Sequence, residues 1–261
     1  MHLTLDKKAV AHSFSRAAAF YDKFAQLQRD IGHQLLLDIY ETDNNRNILD
    51  LGCGTGYFSE QLLSKSINGQ ITCLDISSAM LEQVLNKKIS RLHCIQSDID
   101  YLPFNHHVFD LIYSNLVLQW SADLPSCLSQ IKKSLHKAGK LYFSTLTQGS
   151  LYELTEAWKQ VDNHPHTNKF ISLSSLISVL KKTGFSEFNV KTQTYTLEYH
   201  SVIDIMRALK GVGANHVHGQ QPSSSTGKHL ISLLEKGYRP FINERGKYNL
   251  TYQVCYIEAE K

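Results

Sequence analysis

The 261-residue sequence contains no apolar run near the roughly 18 residues that a membrane span needs; runs such as the triplet from Leu35 to Leu37 are far too short. The opening MHLTLDKKAVAHSF has no hydrophobic signal core. A cytoplasmic protein without membrane association is the expectation. Charge of one sign is also scarce: 27 Lys and Arg against 24 Asp and Glu leave +3, too small an excess to indicate nucleic acid as a partner. The five cysteines, Cys53, Cys73, Cys94, Cys127 and Cys255, are odd in number, widely spaced and without a C-x-x-C pair, so neither a disulfide frame nor a zinc site is expected. Thirteen histidines include His106-His107, His164-Pro-His166 and His216-Val-His218, but no carboxylate or cysteine surrounds them at ligand spacing, so they read as solvated loop residues and no metal is expected. With 42% hydrophobic and 20% charged residues, disorder is excluded.

What is present is an alternation. From Asn47 to about Thr147, the β-rich runs NILDL, QITCLDI, RLHCIQS, FDLIYSN and KLYFSTL are separated by amphipathic stretches, with helices predicted from Tyr57, Ser78 and Ala122. Such an order implies parallel β-α-β units and an α/β fold with helices on both faces of one sheet. Before it, Phe14, Ala17, Ala18, Tyr21, Ala25 and Gln28 recur at helical spacing, and Ile31, Leu35 and Leu36 carry the stripe to Ile39. After it come helices near 151–161 and 174–182, a β-rich run over 186–199, helical stretches over 202–209 and 228–238, and a last strand from Leu250. The predicted organisation is an N-terminal helical lid (1–46), an α/β core (47–199), a helical insertion long enough to be a second lid (200–247) and a final core strand (248–261). Ser223 to Thr226, after Pro222, reads as a loop.

The first strand ends in D50-L-G52-C-G54-T-G56-Y, where glycines let the backbone approach a ligand closely just before a helix opens. A dinucleotide fingerprint started at Gly52 needs glycine at position 57, and the sequence has Tyr57. The G-x-G-x-G form suits S-adenosylmethionine, which has no pyrophosphate to seat. Asp75 ends the second strand 19 residues beyond Gly56, where a carboxylate accepts both hydroxyls of a ribose diol. Asp98 ends the third and is placed to accept from an adenine amino group, with Ile76, Met80 and Ile99 as apolar walls. Asp50 is expected to receive the methionine ammonium, directly or through water.

These residues resemble a known family. ILDLGCGTGYF, CLDISSAML, SDIDYLPF, FDLIYSNLVLQW and GKLYFSTL look like a class I S-adenosylmethionine-dependent methyltransferase. That resemblance implies a Rossmann-like seven-stranded sheet with its last strand antiparallel. A narrower resemblance spans the chain: FSRAAAFYDKFAQLQ from Phe14, the stretch Asn115 to Trp120, and MRALKGVGAN from Met206 are similar to the malonyl-carrier-protein O-methyltransferases of biotin synthesis. It implies methylation of the free carboxylate of a malonyl thioester on an acyl carrier protein. By position it puts Gly52, Gly54, Gly56, Asp75, Asp98 and Asn115 on cofactor motifs, with Cys53 inside the loop and Tyr21 on the lid above the methionine moiety.

A carboxylate acceptor is ionised at neutral pH, so no general base is required. What is needed is alignment, exclusion of water and a grip on the carboxylate. Arg207 and Lys210, at i and i+3 on a predicted helix, and Arg16 on the N-terminal lid are the expected grip, and Trp120 and Tyr21 the expected walls. Between Ile205 and Lys247, seven Lys and Arg stand against Glu235 and Glu244, giving 7 − 2 = +5 and a basic surface for an acidic carrier protein. The alternatives are a methyltransferase for a quinone precursor or a free small carboxylic acid, and a non-catalytic nucleotide-binding regulator, whose mark would be a damaged glycine loop.

Overall fold

The structure, a computed structural model, describes residues 6–40, 46–66, 68–162, 164–185, 187–214 and 228–261. Asn215, His216, His218 and the Ser223 to Thr226 run lie outside the described residues. Five strands run in parallel: β1 (Asn47–Leu51), β2 (Gln70–Asp75), β3 (Leu92–Gln96), β4 (Phe109–Asn115) and β5 (Leu135–Leu146). With β6 (Glu187–Tyr199) and β7 (Tyr248–Glu260) they form one sheet in the order β3-β2-β1-β4-β5-β7-β6, and β7 is antiparallel to both its neighbours. This is the Rossmann-like seven-stranded arrangement with an antiparallel last strand that the sequence led us to expect.

Central strands of a parallel sheet are buried on both faces, so β1 reads as nearly continuous apolar sequence and alternation sorts its side chains. Leu49 and Leu51 face one layer with Leu74 and Ile112, where α6 (Leu124–Ser134) and α8 (Leu173–Lys182) supply Leu128, Ile131, Leu176 and Leu180. Ile48 faces the other with Ile71 and Tyr113, where α3 (Gln26–Leu36), α4 (Tyr57–Leu63) and α7 (Tyr152–Lys159) pack. Asp50 shares that second face because it lies two residues from Ile48. Between strands β2 and β3 runs α5 (Ser78–Asn86), its first turn capped by the Ser77 hydroxyl, which accepts from Met80 N at 3.2 Å.

The single N-terminal stripe resolves into three helices, α1 (Lys7–Ala17), α2 (Tyr21–Phe24) and α3, with a turn over 18–20 and a break at Ala25. The breaks let two ends of one apolar stripe meet different partners: α3 buries Leu27, Ile31 and Leu35 against the sheet, while α1 and α2 lie over the carboxyl ends of the strands. Past β6 come α9 (Val202–Gly211) and α10 (Lys228–Tyr238), whose Val202, Ile205, Leu209 and Leu234 join the core that α3 enters. Among the described residues no helix is long and apolar enough to cross a membrane.

The contact between α10 and α7 is close enough to require glycine. A Cβ on Gly237 would stand 2.5 Å from the Ala157 carbonyl oxygen, a backbone atom that cannot rotate away. Gly237→Ala is expected to lower stability by about 1–3 kcal/mol through overpacking, read as a drop in Tm with S-adenosylhomocysteine affinity unchanged.

Candidate functional site

The glycine loop is hydrogen-bonded to the neighbouring strand. Gly52 N and Cys53 N both donate to Leu74 O at 2.7 and 3.0 Å, and Gly54 N donates to Asp75 Oδ2 at 3.0 Å. Gly52 has φ +75° and its missing Cβ would overlap Val117 Cγ2 at 2.3 Å, so both the dihedral and the close approach demand glycine. Gly54, at φ +54°, has nothing within 4 Å of a built Cβ, because it faces an open cleft. Gly56 turns the chain into α4 from the left-handed region and does not line that cleft.

The cleft lies at the carboxyl ends of the parallel strands, the place where open α/β sheets bind small molecules. The structure brings to it Tyr21, Gly52, Gly54, Asp75, Ile76, Met80, Asp98, Ile99, Asn115 and Trp120, gathered from the lid and the ends of four strands. Asp75 also accepts from Ser77 N at 2.8 Å, so its carboxylate is held in the plane of the loop with lone pairs left for a diol. Burial raises the Asp75 carboxyl to about 6 against the pull of the Ser77, Gly54 and Ile76 N–H groups. Asn115 is fixed by two bonds: its Nδ2 donates to Gln28 O at 2.8 Å and its Oδ1 accepts from Ser144 Oγ at 2.6 Å. Burial, with Asp75 and Asp22 nearby, pushes the Tyr21 phenol upward, so it stays a neutral hydroxyl.

Asp50 and Cys53 stand behind the loop and do not line the cleft. Asp50 Oδ2 accepts from Ser59 Oγ at 2.6 Å, and burial raises its carboxyl to about 7 despite that bond. Burial likewise pushes the Cys53 thiol up, which keeps it neutral.

A second cavity adjoins the first and shares Phe14, Tyr21, Leu116 and Trp120 with it. Phe14 and Trp120 meet edge to face at 5.5 Å, forming a shared aromatic wall. Leu27, Leu151, Leu154, Phe170, Met206 and Leu209 give the second cavity an apolar lining, in which Gln28, Gln119 and His166 are embedded polar groups. The three expected cations are elsewhere. Arg207 is 71% exposed and pairs with Asp204 at 3.3 Å, and Arg16 and Lys210 are exposed; none lines either cavity. The reason is helical: α9 turns Met206 and Leu209 inward, and each cation sits one residue, about 100° of rotation, beyond.

Lys7, Val10, Phe14, Leu116 and Val117 line the cleft without having been singled out as site residues from the sequence, and Lys7 is the charged one among them. Lys7 Nζ bridges Asp98 Oδ1 and Asp100 Oδ2, each at 2.7 Å, tying α1 across the adenine end. Burial alone would raise the Asp100 carboxyl, but bonds from Lys7, Ser121 and Ala122 hold it below its ordinary value. Nothing in a pairing 91 residues apart announces itself in sequence. His164 and His166 gather no metal set: His166 stacks on Trp158 at 3.7 Å and bonds Asp162 at 2.8 Å, and among the described residues no three potential ligands cluster.

The donor set suits S-adenosylmethionine: a diol acceptor, an acid at the adenine end and apolar walls around a glycine loop. An ionised Asp75 carboxylate is able to accept from two hydroxyls at once and a protonated one is not, so protonation near pH 6 should weaken binding of a diol there. S-adenosylhomocysteine affinity is therefore expected to fall as pH drops through about 6. Asp75→Asn should lose about ten- to a hundredfold at pH 8 and abolish that pH step, as measured by calorimetry.

Residues 49–143 match the family described as methyltransferase domain. The fold superposes with TM-score 0.59, at 18% identity, on Haemonchus contortus phosphoethanolamine N-methyltransferase 2 in complex with S-adenosyl-L-methionine, covering 95% of this chain and 57% of that one. The chain is 35% identical over 255 residues to a malonyl-acyl-carrier-protein O-methyltransferase from Serratia marcescens, spanning 97% of this chain and 95% of that protein. It is 34% identical to the biotin biosynthesis bifunctional protein BioHC of Cellvibrio japonicus, over 97% of this chain and 50% of that protein. With its glycine loop, its acid-ended strands and this near full-length likeness, the chain belongs to the malonyl-acyl-carrier-protein O-methyltransferase family of S-adenosylmethionine-dependent methyltransferases.

Proposed function

We propose that the chain methylates the free carboxylate of a malonyl group carried as a thioester on an acyl carrier protein, as an early step toward biotin. The observation that carries this reading is the likeness to the Serratia protein across 97% of the chain, which takes in both lids and not the cofactor core alone. The bound cofactor supplies an electrophilic methyl on a cationic sulfur: the carboxylate O–CH3 bond forms as the S–CH3 bond breaks, and the electron pair stays on sulfur.

The chain's own residues provide the setting. Gly52 and Gly54 let the donor lie against the backbone, Asp75 accepts from its ribose hydroxyls, Asp98 stands at its adenine, and Asn115 fixes the junction between the cavities. Tyr21, Phe14 and Trp120 line both cavities and exclude water where the two substrates meet. The apolar second cavity accepts the thioester stem. Masking the carboxylate suits later chemistry, because an ionised chain end would cost several kcal/mol to bring into an apolar acyl site whereas a methyl ester carries no net charge.

Arg207 and Lys210 point outward from the helix that walls the acceptor cavity, which favours a role in docking the acidic carrier. Arg245, just before β7, pairs with Glu198 near the end of β6 and is 75% exposed. Mass spectrometry of malonyl carrier protein after incubation with enzyme and cofactor should reveal one added methyl group that an esterase removes. Transfer only to free acids or a quinone precursor would reject the reading. Raising ionic strength should depress kcat/KM for the carrier-bound substrate far more than for a small malonyl thioester; equal sensitivity would remove the docking role.

A further inference from the structure

Gln28 occupies an unusual position in the acceptor cavity. It lies on α3, it lines the second cavity, and its backbone oxygen accepts from Asn115 Nδ2 at 2.8 Å, which ties its main chain to the end of β4 in the cofactor cleft. Its side-chain Oε1 is buried and is, among the described residues, the one buried side-chain polar atom without a hydrogen-bond partner. Buried polar groups are as a rule hydrogen-bonded, so a partner from outside the chain is the economical explanation. Gln119 stands in the same cavity with its Oε1 already accepting from Thr145 Oγ1 at 3.2 Å, so what it can offer a ligand is its N–H2 edge.

Resting on the reading above, we propose that Gln28 is the residue that binds and aims the acceptor's carboxylate, with Gln119 as a second neutral donor. A carboxamide carries an acceptor on one edge and two N–H donors on the other, and half a turn about its last side-chain bond exchanges them. Turned that way, Gln28 places N–H donors where the unpaired oxygen stands. A carboxylate, which only accepts, satisfies them.

Neutral donors also suit the reaction. The acceptor's negative charge is largely consumed as its oxygen takes the methyl group. A guanidinium salt bridge would therefore stabilise the reactant more than the transition state and slow the step, whereas an amide fixes direction with less of that penalty. The charge-bearing lid residues, outside the cavity, are then free to serve the carrier.

The test uses the full-length protein, a malonyl-pantetheine thioester and its counterpart in which the carboxylate is replaced by a carboxamide. Wild-type transfer to malonyl carrier protein is measured first, so that failure of the substrate reading is seen separately; were a free dicarboxylic acid the acceptor instead, that acid and its half-amide replace the two probes. Gln28→Glu should weaken calorimetric binding of the carboxylate probe to the S-adenosylhomocysteine-bound enzyme by at least about tenfold, and raise KM accordingly. It should keep or strengthen binding of the carboxamide probe, whose N–H groups a glutamate accepts. S-adenosylhomocysteine affinity should stay within about twofold, since Gln28 does not line the cofactor cleft. Equal loss of both probes, or no loss of the carboxylate probe, overturns the proposal. Should Gln28→Glu fail to fold, Gln28→Met decides alone: it must weaken the carboxylate probe with cofactor affinity intact, and unchanged binding overturns the assignment.

Discussion

The whole site depends on three backbone N–H groups of one loop, those of Gly52, Cys53 and Gly54, all donating to the end of β2. Two reach Leu74 O and the third reaches the Asp75 carboxylate, so the loop after β1 and the acid after β2 are a single hydrogen-bonded unit. That unit exists only because β1 and β2 are parallel neighbours whose carboxyl ends stop at the same level, with Leu51 opposite Leu74. Left-handed glycines are what allow the chain to turn back over the adjacent strand. The same geometry buries Asp50 and Asp75, and desolvation raises both carboxyls, to about 7 and about 6. Folding therefore has the most help from these groups at low pH and loses it as pH rises through those values; a bound cation-bearing cofactor offsets the loss.

Charge is sorted by depth across the molecule. Asp75 and Asp98 sit in the cofactor cleft, Lys7 holds Asp98 there together with Asp100 beside it, and neutral amides and aromatics line the second cavity. Arg16, Arg207 and Lys210 stay exposed on the helices around the two cavities, and this order suits a methyl transfer between a cationic donor and an anionic acceptor. Within apolar walls electrostatic effects are strong. Long cations at the surface act on encounter with a partner instead.

The fold was legible because hydrophobic alternation and turn chemistry are local. The five runs from Asn47, the last strand and α10 over 228–238 were readable as short-range patterns, and so was the glycine loop with its Asp75 partner, while the antiparallel direction of the last strand came from the family resemblance. The position of Arg207 and Lys210 was less so, since i, i+3 spacing says that two side chains share a face and not which face is inward. The apolar residues beside them, Met206 and Leu209, carried that information. A reading that weighed the stripe before the charges would have sent the cations outward. The N-terminal stripe likewise hid two breaks, because periodicity survives a turn that keeps the same residues apolar.

The sequence by itself determined the parallel β-α-β organisation of the core by its alternation, the cofactor class by three glycines and an acid at fixed offsets, and the family by motifs spread over its length, whereas the spatial order of the strands came from the structure. These depend on residues close together along the chain, where spacing translates directly into geometry. Only the tertiary structure decided that Lys7 closes over Asp98, that Phe14 and Trp120 form a wall shared by two cavities, and that Gln28, whose buried side-chain oxygen has no partner, lines one of them. Each joins segments brought together by packing against the common sheet, and the direction a side chain takes there is set by which of its neighbours the core claims first.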